Sequence, residues 1–302
     1  MKTNYQLAAD VFDQWRDDVL TGEPPILFPV GRGELARVEI GPQRVTLIGG
    51  APAAGKTAFT MQCVIDALRL TTTLRAVVCN VEMPAKVLLD RQLARLSGVA
   101  VDDIRYRRLG RCHADRIDQA MNTLEAIAER LCFVRPPFDL ANVAATADGF
   151  NAELIVLDYI QRISAPGKHG DRRGSVDATM NYLRQFADAG VAVIVVAAVA
   201  RTKDKQGRSS YSADGLNLAS FRESSELEFG ADDAFILAPY RDAGVQLKHL
   251  KARHTEPIDI VFDFDGATQS FIVAEPPMSE DSRKLRTALA TMWNETEAAP
   301  DD

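Results

Sequence analysis

The run Gly50-Ala51-Pro52-Ala53-Ala54-Gly55-Lys56-Thr57 fits the spacing G-x-x-x-x-G-K-[ST], and each fixed position has a physical task. The two glycines let the backbone curl until successive amide hydrogens point inward at an anion. A helix opening at Lys56 adds its positive dipole end, and Ala58 continues the run into that helix. Lys56 then reaches the outer phosphates, and the Thr57 hydroxyl suits a Mg²⁺ ion. Residues 50–58 read as the phosphate cradle of an ATP site.

A cradle alone binds; hydrolysis also needs a metal-side acid and a group that prepares water. Asp158 ends the apolar run Leu154-Ile155-Val156-Leu157, which reads as a buried strand carrying a carboxylate to the phosphates as a second Mg²⁺ ligand. The alternative is a helix or turn cap. Glu82 follows an apolar, β-branched run ending at Val81 and precedes Met83-Pro84. That puts it at the carboxyl edge of a sheet, where ligands bind, as a candidate general base for water. A glutamate that merely opens the next helix is the competing reading.

Positioning these groups requires alternating strands and helices. Strands are expected over 44–49, 75–81, 131–134, 154–158 and 191–199, and helices over 56–70, 85–96 and 175–189. Such alternation implies a mostly parallel twisted sheet with helices on both faces. Then 234–237, 245–250, 258–264 and 269–273 follow with short turns such as Asp265-Gly266, which reads as an antiparallel C-terminal extension.

Leu7, Val11, Phe12, Trp15 and Val19 recur at helical steps among Asp10, Asp13, Arg16, Asp17 and Asp18, predicting an amphipathic helix ahead of the main domain. Its apolar stripe must pack on its own domain or on a neighbouring subunit. Gly22, Pro24, Pro25, Pro29, Gly31 and Gly33 mark a linker after it. The expected division is 1–33 for helix and linker, 34–274 for the main domain, and 275–302 for a helix and an acidic, disordered tail.

The chain has 302 residues, 46% hydrophobic and 25% charged, enough for one large α/β core. A formal charge of −7 argues against coating nucleic acid or an anionic membrane over the whole surface, while leaving room for local basic loops. Cys63, Cys79, Cys112 and Cys132 are widely spaced and read as reduced, buried thiols. Neither a signal peptide nor a membrane span is visible, so the expected location is the cytoplasm, with no membrane partner.

Several stretches, in order, together resemble the ATPase domain of DnaB-type replicative DNA helicases. They are 49–59 around the phosphate loop, Val81-Glu82-Met83-Pro84-Ala85, 93–99, 157–161, Phe221-Arg222-Glu223-Ser224 with Glu228 and Ala231-Asp232, and Lys251-Ala252-Arg253. The resemblance implies a RecA-like domain in a homo-oligomeric ring, commonly a hexamer, with ATP held between neighbours. It makes Glu82 the residue that polarises water. It implies that Lys251 and Arg253 reach the neighbour's γ-phosphate, and that Arg222 and Glu223 sit in a loop tracking single-stranded DNA. The implied partners are single-stranded DNA and a helicase loader or other replication protein.

Two basic loops suit the same channel. Lys168, His169, Arg172 and Arg173 follow the Asp158 strand, and Lys203, Lys205 and Arg208 follow the strand ending near Val199. Plain solvated loops are the alternative for each residue.

The match has gaps. Ala198 stands where the family usually has a glutamine that senses the γ-phosphate, Ala200 where an asparagine is usual, and Ser225 where glycine is common. A methyl can neither donate nor accept a hydrogen bond. The chain also begins at the linker helix, without the family's N-terminal helical domain. These departures motivate a second reading, a RecA-like regulatory or scaffold ATPase that assembles with ATP and binds DNA or protein without processive unwinding.

Overall fold

The computed structural model describes residues 6–167, 172–199, 202–203, 209–210, 216–221, 226–240 and 244–274. After a helix α1 (Ala8–Thr21), the chain runs β1 (Val45–Gly50), α2 (Lys56–Leu70), β2 (Ala76–Asn80), α3 (Ala85–Ser97), α4 (Val101–Arg105), α5 (Ala114–Ala128) and β3 (Leu131–Phe133). It continues through α6 (Leu140–Phe150), β4 (Leu154–Asp158), α7 (Arg172–Asp188), β5 (Ala192–Ala198) and a small pair, β6 (Thr202–Lys203) with β7 (Ser209–Ser210). The described part ends with α8 (Glu226–Gly230), β8 (Asp233–Tyr240), β9 (Gly244–Ala252), β10 (Ile260–Asp265) and β11 (Ser270–Val273).

The central strands are buried on both faces, and their alternation divides the core in two. Ile48, Val78, Val156 and Ile194 face one cluster with Phe59, Ile65 and Leu68 of α2 and Leu88 of α3. Leu47, Val77, Leu157 and Val195 face the other, with Val143 of α6 and Met180 and Leu183 of α7. This is why the strands read as continuous apolar runs rather than as half-polar ones.

The nine-stranded sheet has the order β11-β10-β9-β8-β1-β5-β4-β2-β3. Strands β3, β2, β4, β5, β1 and β8 run parallel, and β9, β10 and β11 follow antiparallel. The expected antiparallel extension therefore starts one strand later than its sequence rhythm suggests. β8 belongs to the parallel core, paired to β1 from Thr46↔Asp233 to Gly50↔Leu237. Because β1 is flanked by β5 on one side and β8 on the other, the loop after Gly50 opens at a point where the strand order reverses.

Four helices, α4, α5, α6 and α8, escaped the sequence expectation. α4 is only five residues long. α5 buries Ile117, Ala120 and Ile127, a stripe partly written in alanine. α6, LANVAATADGF, offers little contrast between its faces and is started by Asp139, whose side chain accepts from Asn142 N.

The leading helix forms as expected, but none of its residues is buried. Phe12 is 53% exposed and Trp15 56%, so packing on its own domain is not how the stripe is covered. The cysteine expectation also needs correction: Cys63 and Cys79 are buried, Cys132 is half-buried and Cys112 is exposed, all as free thiols. The expected helix and tail over 275–302 lie outside the described residues. No helix among the described residues is long and apolar enough to cross a membrane.

Candidate nucleotide site

The loop between β1 and α2 has the curled backbone that its sequence requires. Gly55 has φ 82° and Ala53 φ 62°, both left-handed. A Cβ on Gly55 would lie 2.7 Å from the Phe271 ring, so conformation and space both call for glycine there. Lys56 is turned back on the loop, donating through Nζ to the carbonyls of Gly50 at 2.9 Å and Ala51 at 2.8 Å. Burial lowers its pKa, and the negative charges of Asp158 and Glu82 partly restore it.

Across the sheet, the Thr57 hydroxyl donates to Asp158 Oδ2 at 2.6 Å. Asn80 Nδ2 donates to the same oxygen at 2.7 Å. The ladder explains the second contact, because Asn80 and Asp158 are register partners at the ends of β2 and β4. Asn80 Oδ1 in turn accepts from the amides of Glu82 at 3.0 Å and Met83 at 2.7 Å. One side chain thus ties the strand-end acid to the turn that carries Glu82. Burial raises the Asp158 pKa, opposed first by the Thr57 hydrogen bond and then by Lys56.

These groups converge on one cleft of about 480 Å³, lined by Pro52, Lys56, Thr57, Glu82, Arg91 and Asp158 among others. Gly55, Ala53 and Ala58 line it too, with Phe264 contributed from β10 and Gln269 from the β10–β11 turn. Glu82 is exposed at the rim and precedes α3 by three residues; the helix starts at Ala85 with Pro84 as its N-cap. It is therefore not the helix-opening residue of the competing reading.

The donor set fits a Mg²⁺–nucleotide rather than a protein-held metal. Among the described residues no group of three or more His, Cys, Asp or Glu side chains could hold a metal. A hydroxyl and one carboxylate oxygen 2.6 Å apart match an ion that keeps waters and takes phosphate oxygens as its other ligands.

Lys251 and Arg253 lie elsewhere. Lys251 donates to Ala231 O at 2.7 Å, and Arg253 pairs with buried Asp232 at 2.6 Å. Asp232 also pairs with Arg184 at 2.6 Å and accepts from Val45 N at 2.8 Å. Val45 begins β1, whereas the phosphate loop follows its end at Gly50. At ~3.3 Å per residue the two sites are roughly 15–20 Å apart, on opposite edges of the sheet. Neither side chain reaches its own chain's phosphates.

Of the remaining expected residues, Lys168, His169, Lys205, Arg208, Arg222, Glu223, Ser225 and Ala200 lie outside the described residues. Arg172 and Arg173 start α7 rather than lying in a loop, and Lys203 lies in β6. Ala198 pairs with Gly50 in register and lines the nucleotide cleft. The sequence reading missed Asn80 and Arg91. A polar residue closing an otherwise apolar strand was the available signal for Asn80; Arg91 resembles any arginine on an amphipathic helix.

A family model of the DnaB-like helicase C terminal domain matches residues 34–273. The chain belongs to that family. Two solved structures show the DnaB-like fold at low identity. One, the ATPase domain of another protein, has TM-score 0.75 at 17% identity and covers 90% of this chain and 100% of that one. The other is a DnaB-like replicative helicase studied with its interactions with primase, with TM-score 0.74 at 18% identity, covering 90% and 68%. No curated protein matches. The DnaB-like domain thus shares the RecA-like sheet of these neighbours, mostly parallel with an antiparallel series of C-terminal strands.

Proposed function

We propose that this chain hydrolyses ATP at subunit interfaces and uses that cycle to move on single-stranded DNA, as a helicase or translocase. The observation that carries the reading is the convergence of Lys56, Thr57, Asp158 and Glu82 on one cleft, with Thr57 and Asp158 in direct hydrogen bond.

In this reading, residues 50–58 cradle the phosphates, and Lys56 exchanges its two carbonyl partners for phosphate oxygens. Thr57 and Asp158 would hold Mg²⁺, which supplies charge neutralisation at the outer phosphates when bound. Glu82 accepts the proton of the attacking water, and Asn80 holds its turn against Asp158. Arg253 and Lys251 act in trans. Their distance from their own phosphate loop supports a ring in which each subunit lends them to its neighbour, and the bare stripe of α1 supports a second contact between subunits.

The division into 1–33, 34–274 and 275–302 accompanies this reading, as do the DNA contacts assigned to Arg222, Glu223, Lys168, Arg172, Arg173, Lys203 and Lys205. A replication protein is the partner class, by analogy with the neighbour solved with its primase interactions. Ala198 beside the phosphate loop favours the second reading, an ATP-assembled scaffold without processive unwinding, because a methyl relays no hydrogen bond.

The test is ATP hydrolysis with and without single-stranded DNA, together with strand separation on substrates of both polarities. Stimulated hydrolysis and unwinding that Lys56→Ala abolishes support the motor. ATP-dependent assembly with no unwinding selects the scaffold.

A further inference from the structure

Beneath Lys251 and Arg253 lies a buried polar pair that the mechanism above does not use. Asp233 opens β8 directly after Asp232, and His249 stands on β9 shortly before Arg253. Their side chains are only 4% and 1% exposed. The His249 ring accepts from Ile258 N through Nδ1 at 3.2 Å, which leaves its proton on Nε2, and Nε2 donates to Asp233 Oδ1 at 3.1 Å. The backbone N of His249 donates to Asp259 Oδ1 at 3.0 Å, and the ring stacks on Phe235 with centroids 4.0 Å apart. One imidazole thus ties the first residue of β8 to the far end of the connection between β9 and β10. That connection begins with Arg253.

Apolar residues would fill this space between strands at less cost, because an ionisable pair gives up its water when buried. The loss is not fully made good here: Asp233 Oδ2 has no hydrogen-bond partner among the described residues. What the pair supplies is placement. Arg253 bonds back toward β8, through its N to Asp232 O at 3.0 Å and through its guanidinium to Asp232 Oδ1 and Phe229 O. His249 holds the other end of the same segment at Ile258 and Asp259, and anchors it on the neighbour of Asp232.

We infer that His249, held by Asp233, is a positioning residue for hydrolysis in trans: it fixes the 253–259 connection so that Arg253 is presented to the outer phosphate on the next subunit. This rests on the trans reading of Arg253 above. An arginine that must meet phosphate oxygens across an interface has little tolerance, since a misplacement of about 1 Å can cost on the order of a hundredfold in rate.

The test replaces the whole pair in the full chain, His249→Phe together with Asp233→Val, and measures ATP hydrolysis under assembling conditions with Arg253 present and in an Arg253→Ala background. Replacing both partners leaves no stranded charge, so the variant should melt at or above the wild-type temperature. With Arg253 present, kcat should fall about tenfold or more while KM stays within about twofold. In the Arg253→Ala background the same replacement should change the rate by less than about twofold, because no arginine is left to place. His249→Gln, which keeps a donor for Asp233, should retain more activity than the apolar pair. A wild-type rate for the apolar pair, or an equal loss with and without Arg253, overturns the assignment. So does loss of the cooperative melt, which would make the pair a support of the fold alone. If Arg253→Ala by itself hydrolyses as fast as wild type, the trans reading fails, and this inference with it.

Discussion

Thr57, in the first turn of α2, donates its hydroxyl to Asp158 at the end of β4, a 2.6 Å contact across 101 positions of sequence. It joins the phosphate loop to the strand-end acid. Asn80 donates to the same carboxylate oxygen, so the acid is aimed from two sides.

That aim has a cost which can be measured. Burial raises the Asp158 pKa, so the folded state favours the protonated form. The acid therefore supports the fold most at low pH and loses that support as pH rises through its folded-state pKa. At neutral pH, Asp158→Asn, which still offers an acceptor to Thr57 and Asn80, should stabilise the nucleotide-free protein by on the order of 1 kcal/mol. Thermal melts should show this gain shrinking as pH falls into the raised titration range. Mg²⁺–ATP should no longer protect the variant.

Asn80→Ala removes three hydrogen bonds at once, one to Asp158 and two from the amides of Glu82 and Met83. Leaving buried polar groups unpaired costs about 1–3 kcal/mol, so the melting temperature should fall. Steady-state kinetics should show kcat falling more than KM rises, because the Glu82 turn loses its anchor while the phosphate loop stays intact.

Arg253→Ala and Asp232→Ala should separate function from stability. Asp232 is 1% exposed and binds Arg184 and Val45 N as well as Arg253. Removing it leaves two partly exposed arginines and the buried Val45 N–H without their acceptor, and should cost about 1–3 kcal/mol by denaturant titration. Removing the half-exposed Arg253 leaves Asp232 partnered, so stability should change little. Hydrolysis by the assembled protein should nonetheless drop by on the order of a thousandfold, the lower range for a trans arginine.

Trp15→Asp probes the leading helix. Trp15 is 56% exposed, and its ring centroid lies 5.4 Å from that of Phe12 on the same helix. The variant should melt like wild type in dilute solution. Under ATP-dependent assembly, sedimentation should show smaller species.

Much of the fold and most of the cleft could be read from the residues alone, for reasons visible in the structure. Strands buried on both faces are unbroken apolar runs, and the phosphate loop is spelled by positions that tolerate no other spacing. Asn80 was hidden because its role comes from register with Asp158, which only the sheet order creates. Arg91 was hidden because an unmatched arginine and a matched one such as Arg95 look alike on a helix. The parallel pairing of β8 escaped because its short connection to β9 suggested a hairpin throughout, and the exposure of α1 could not follow from a stripe that fits either covering.

The most direct measurement compares ATP hydrolysis and Mg²⁺–ATP binding by wild type and Glu82→Gln under assembling conditions. Glu82→Gln keeps the size of the side chain and removes its basicity. Binding should stay near wild type while the hydrolysis rate falls by about a hundredfold or more, the range for a lost general base. Hydrolysis by Glu82→Gln at the wild-type rate would contradict the account.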